Sequence, residues 1–149
     1  MTIKDNINIK YPGLFRRLFA IFYDCFLLTA ILFVISAISM VLNHGKAIEQ
    51  ENIYFPLYFS VIFGACYLYF SWFWINGGQT LGMKTWQIKI LADNDANISW
   101  KMTVIRFITA IFSWGAFTLG FLWALVDKKN RCWHDLSSGT YLVDLRGII

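Results

Sequence analysis

Charge is scarce in this sequence. Only 15% of its 149 residues are Asp, Glu, Lys or Arg, against about 25% in an ordinary soluble domain. Apolar and aromatic residues make up 58% and the mean hydropathy is +0.53. One soluble core of this size cannot hide that much apolar surface, so disordered, collagenous and nucleic-acid-binding classes are excluded and the bilayer is the expected solvent. Acidic residues are scarcer than basic ones, 9 against 13, which gives +4. In a membrane protein that surplus concerns topology and anionic lipid. Cysteine is also sparse: Cys25, Cys66 and Cys132 form no CxxC pair, and the first two lie inside apolar runs, so neither a disulfide nor a metal cluster is expected. A GxGxxG turn after a strand, a GK[ST] loop, a GxSxG elbow and a Ser-His-Asp order are all missing. No enzymatic activity and no cofactor are expected.

What is present is a set of long apolar runs. Residues 18–42 carry one charge, Asp24, and at ~1.5 Å per residue they exceed the ~30 Å of hydrocarbon. The run continues to Asn43, His44 and Gly45, a helix stop, and so reads as a retained anchor and not a cleaved signal. Residues 54–75 carry no charge, and Tyr67, Tyr69, Trp72 and Trp74 crowd their end, where amphipathic rings favour the headgroup level. A third segment, residues 103–126, is uncharged from Phe107 onward, and Trp114, Gly115 and Gly120 divide it into unequal pieces.

Two arguments bear on whether that third segment crosses. Lys4, Lys10, Arg16 and Arg17 precede the first run; four more basic residues lie from Lys84 to Arg106 and four after Val126, leaving only Lys46 in the first loop. If the third segment enters and returns, every basic residue but Lys46 shares one side, which the positive-inside rule prefers. Residues 86–92 alternate (Trp86, Ile88, Ile90 against Gln87, Lys89) before a turn-like 93–97, and residues 140–145 alternate likewise. A lone strand is unstable, so these two should pair, and therefore share a side. The expected fold is one all-α membrane domain over residues 1–149, with two transmembrane helices, a re-entrant or third membrane helix and a small cytoplasmic strand pair. Three simple spans are the alternative. Both termini are expected to be cytoplasmic.

An ionisable group in hydrocarbon costs ~2.5–3.5 kcal/mol at a helix centre, so Asp24 needs a partner. Arg17, seven residues earlier on the same face, is about 10 Å away along the axis, so a third group or a bend of the long Arg17 stem is needed to close a network. Arg106, Asp127 and Asp135 are the candidates. Such a cluster either carries a proton or cation or locks helices together. His134 beside Asp135 is a proton relay, a metal ligand or a structural hydrogen-bond donor. The glycines of residues 76–82 suit a chain leaving the membrane and turning along its surface, and Met83, Trp86 and Trp100 near Lys84, Lys89 and Lys101 suit an interfacial anchor.

Three stretches together resemble one family: Arg16, Arg17 and Asp24 opening the first span; Gly78, Gln79, Thr80, Leu81, Gly82, Met83 and Lys84 after the second; and Trp133, His134, Asp135, Gly139 and Thr140 before the last strand. This pattern is similar to the RDD family of small bacterial membrane proteins. The arginine and two aspartates of its name fall on Arg17, Asp24 and Asp135. Met83 and Ser138 are small departures. The resemblance implies a multi-pass inner-membrane protein and, from what has been proposed for some members, transport that includes cation/proton antiport. It supplies no substrate. The expected partners are the lipid bilayer and a second copy or another membrane protein, since two spans and one re-entrant pair cannot enclose a solvated path alone. A non-transporting scaffold or accessory subunit is the rival function.

Overall fold

The computed structural model describes residues 10–93, 97–115 and 119–147. Lys4, the middle of the turn read at 93–97, and residues 116–118 of the third segment lie outside them. The first run forms α1 (Leu14–Leu42), which starts four residues earlier than the apolar pattern because Gly13 stands at its N-cap and nothing in Phe15–Arg17 opposes a helix. At ~1.5 Å per residue its 29 residues outreach the hydrocarbon, so its first turn, with Arg16 and Arg17, extends towards the interface. The second run is α2 (Phe55–Gly77), opened by Pro56 and closed by Gly78 in the left-handed conformation. Both helices are long and apolar enough to cross a membrane.

Burial on α1 follows a narrow seam, Arg17, Ala20, Asp24 and Leu28, spaced three and four residues apart. Phe22, Phe26, Phe33, Val34 and Val41 are exposed and suit hydrocarbon. α2 buries only Ser71 and Trp74, near its C-terminus. The two helices are antiparallel and are held at the far end by a 2.8 Å hydrogen bond between Ser36 and Tyr58. Nearly all other burial lies at the end where α1 begins and α2 finishes.

There the chain turns through α3 (Leu81–Thr85) into β1 (Ile88–Ala92), then forms α4 (Trp100–Gly115), α5 (Leu119–Leu122) with a 3₁₀ turn to Leu125, α6 (Trp133–Ser138) and β2 (Thr140–Asp144). β1 and β2 pair antiparallel, Ile88 opposite Asp144 and Ala92 opposite Thr140. One strand precedes the third segment and the other follows it, so the chain leaves and returns at the same end. α4 and the segment Leu119–Leu125 lie at 109° to each other. This is the geometry of a re-entrant or broken element and not of a straight crossing, and it agrees with two spans plus a bent pair. Trp74, Met83, Ile88, Ile90, Leu142 and Ala20 form the core joining the sheet to the helices.

The strand reading needs one correction. Alternation places Thr140 and Asp144 on a polar face, yet all five residues of β2 are buried. Their polar side chains point at arginines: Thr140 accepts from Arg106 at 2.7 Å, and Asp144 accepts from Arg16 and, at 3.0 Å, from Arg146.

Candidate functional site

Asp135 is the third residue of α6, where its Oδ2 accepts the Cys132 backbone N–H at 2.9 Å and so caps its own helix. That leaves the carboxylate facing α1 and α4. Arg17 donates through Nη1 to Oδ2 at 2.7 Å, and Arg106 donates through Nη1 to Oδ1 at 2.5 Å. Asp135 is fully buried, and the two guanidinium side chains are 3% and 5% exposed. One acid thus ties three helices together. Burial by itself would raise the Asp135 carboxyl; Arg106, Arg17 and the Cys132 N–H outweigh it and hold it well below the usual carboxylate range.

Asp24 stands apart from this triad, and the expected link to Arg17 is not made. Arg17 turns to Asp135, the Pro12 carbonyl and the Cys132 sulfur. Asp24 instead accepts from three uncharged donors: Tyr69 Oη at 2.9 Å, Thr80 Oγ1 at 2.5 Å and the Gly82 backbone N–H at 2.9 Å. Among the described residues it has no cationic partner. Thr80 caps α3 by accepting from Met83 N–H, while Asp24 takes the next free N–H of that helix from across the interface. Gly82 makes this approach feasible, since a Cβ there would collide with the Ala20 carbonyl oxygen.

Of the other expected members, Arg106 belongs to the triad and Asp127 does not. Asp127 pairs locally with Arg131 at 3.1 Å and accepts the Lys129 and Arg131 N–H groups, closing its own loop. His134 is buried against Phe121, its Nε2 is 3.6 Å from Asp135, too long for a hydrogen bond, and Nδ1 has no partner among the described residues. Cys132, His134 and Asp135 place their ligand atoms within 4.8 Å of one another. A cation is ill suited to that group. Its carboxylate already holds two guanidinium groups, and burial and Asp135 push the Cys132 thiol up to about 11, away from the thiolate a metal needs.

A cavity of about 320 Å³ is lined by Arg17, Arg106, His134, Asp24 and Thr80 together with apolar side chains. Sequence reasoning misses Tyr69, Thr80, Thr140 and the Arg16–Asp144 pair. The Gly78–Lys84 stretch is the signal that points to Thr80 and Gly82; the doubled Arg16, Arg17 is the only hint of a second ion pair.

His134 makes the fold pH-sensitive. Burial, aided by Arg106 and Arg17 and opposed by Asp135, lowers its pKa from 6.5 to about 3. Across that window the unfolded chain binds the extra proton, so stability falls as pH falls from ~6.5 towards ~3, by up to ~1.4 kcal/mol per pH unit. Melting in neutral detergent at about pH 7 and pH 5 should therefore differ, and His134→Gln should shrink the difference. Equal pH dependence in parent and variant would remove His134 as the cause.

The RDD family matches residues 11–139. No curated protein and no solved structure matches the chain.

Proposed function

The chain belongs to the RDD family, and from that premise we propose that it transports a small cation or another solute across a bacterial inner membrane, coupled to protons, without enzymatic activity. The observation that carries this reading is the cavity inside the membrane domain with Asp24 on its wall, buried without a cationic partner among the described residues. A carboxylate so placed is the kind of group that takes up and releases protons in pumps. The hydroxyl groups of Tyr69 and Thr80 and the Gly82 N–H surround it. The bundle is thin, α1 being largely exposed, and self-association or a membrane partner would complete the path.

Asp24→Asn keeps size and most hydrogen bonding and removes the titrating charge. In proteoliposomes the variant is expected to insert normally and to lose pH-dependent flux. Unchanged flux, or none above empty liposomes in the parent, would overturn the reading. A scaffold role is favoured by a different observation: Arg17, Asp135 and Arg106 each tie separate elements together. It becomes the better account if Asp24→Asn reaches the membrane with no change in any flux.

On this reading both termini lie in the cytoplasm. Reporter fusions ahead of residue 10 and after residue 149 should give the same cytoplasmic signal and a tag beside Lys46 a periplasmic one; opposite signals at the two termini would exclude the returning third segment.

A further inference from the structure

We infer that the cavity is a binding site for an anionic amphiphile, an acyl chain ending in a carboxylate or phosphate, whose head is held by Arg106. The inference deepens the transport reading by naming what the cavity takes, and it rests on that reading only for the use of the cavity as a solute site.

Charge comes first. Two guanidinium groups share the single carboxylate of Asp135, so that wall carries a surplus cation. Asp24 keeps its own charge but pairs with neither arginine among the described residues, so the surplus is local to the group of Arg17, Asp135 and Arg106. His134 stays neutral under ordinary conditions, and Cys132 remains a thiol. Arg106 makes both of its hydrogen bonds through Nη1, to Asp135 and Thr140, and its buried Nε is left without a protein acceptor among the described residues. The side chain is 5% exposed, stacks over the Trp74 ring at 5.0 Å and lines the cavity. A buried guanidinium with a donor left over is matched by an oxyanion, which can accept from two of its N–H groups at once.

The mouth is the second observation. Beyond the charged end the walls are Ile21, Phe107, Ala110, Ile111, Trp114 and Phe121. Ile111 and Trp114 are 45% and 60% exposed, so they line the cavity and also face outward on α4. On a helix inserted in a bilayer that outer face meets acyl chains, and the opening admits molecules from the lipid phase. The volume of about 320 Å³ is that of a small ligand pocket. An anionic end and an apolar body are the chemistry of a fatty acid or a lysophospholipid; a free anion would leave the apolar walls wet.

The test is equilibrium binding of radiolabelled oleate to the purified full chain in a neutral maltoside detergent, with lysophosphatidate, oleyl alcohol, acetate and inorganic phosphate as competitors. Saturable binding of about one oleate per chain is expected, displaced by lysophosphatidate and not by the other three. Ala110→Phe fills the cavity without touching a charge, and it should weaken oleate binding about tenfold or more while melting stays near that of the parent. Arg106→Gln should weaken it too, but it also disturbs Asp135, so the Ala110 variant is the deciding one, with Ala110→Leu as the gentler version. Displacement by oleyl alcohol as strong as by lysophosphatidate would show that the head is not read, and displacement by phosphate alone would assign the site to a soluble anion. Either result overturns the inference, as does the absence of saturable binding or an Ala110→Phe variant that binds as the parent does. Oleate bound without any flux would sink the transport reading and leave this site standing; flux without oleate binding would do the reverse.

Discussion

Asp135→Asn should be among the most damaging single changes in the protein, lowering the melting temperature sharply and leaving little folded protein in the membrane. The carboxylate is fully buried and is the shared partner of Arg17 and Arg106. Removing one member of a buried ion pair leaves an uncompensated charge and costs about 3–5 kcal/mol; here two guanidinium groups are stranded, and the amide has one acceptor oxygen left for the donors Arg17, Arg106 and the Cys132 N–H. Asp127→Asn is the control, because its half-buried pair with Arg131 closes only its own loop and its loss strands no fully buried charge, so the effect should be much smaller. The same logic predicts which residues couple. Arg17→Met combined with Asp135→Asn should be less damaging than the sum of the single changes, since the first removes a charge the second would strand. Arg17→Met combined with Asp24→Asn should be close to additive, as the two share no partner. Additivity for the first pair, or a melting temperature for Asp135→Asn like that of Asp127→Asn, would refute the triad as the lock of the fold.

The spans are legible because an apolar run of such length is stable only where lipid replaces water, and the strand pair because period-two alternation at residues 86–92 and 140–145 leaves each strand only the other to pair with. That pairing also carries the return of the third segment to its starting side, a conclusion about topology drawn from two short strands. The cost of burying charge points to Arg17, Asp24 and Asp135 before any geometry is known. Their partners are another matter. Arg17 and Asp135 are 118 positions apart, and nothing local indicates that α6 docks on the first turn of α1. Helical spacing suggests Arg17 for Asp24, whereas a backbone N–H and two hydroxyl groups serve instead, and such donors carry no charge to attract notice. Asp144 misleads for the opposite reason: a polar residue at an alternating position normally marks the wet face of a strand, and Arg16 and Arg146 are what turn it inward.

Gly82→Ala should separate α3 from α1. The added Cβ would collide with the Ala20 carbonyl oxygen and lie 2.9 Å from the Asp24 carboxylate, and the first of these is backbone on a long helix that has little room to yield. The short α3 must therefore move, which takes the Gly82 N–H away from Asp24 Oδ1 and shifts Thr80 with it. Overpacking of this kind costs about 1–3 kcal/mol, and a hydrogen bond to a charged acceptor about 1.5–3 kcal/mol more, so a loss of roughly 2.5–6 kcal/mol is expected. Gly64→Ala provides a comparison of opposite sign. Gly64 lies inside α2 with nothing within 4 Å of its missing Cβ, so alanine there should leave the fold unharmed or raise its stability by up to about 1 kcal/mol through helix propensity. Melting of the two variants beside the parent in one detergent measures both effects. If Gly82→Ala melts with Gly64→Ala, the close contact between α3 and α1 is not what holds Asp24 in place, and the Asp24 wall of the cavity loses its structural basis.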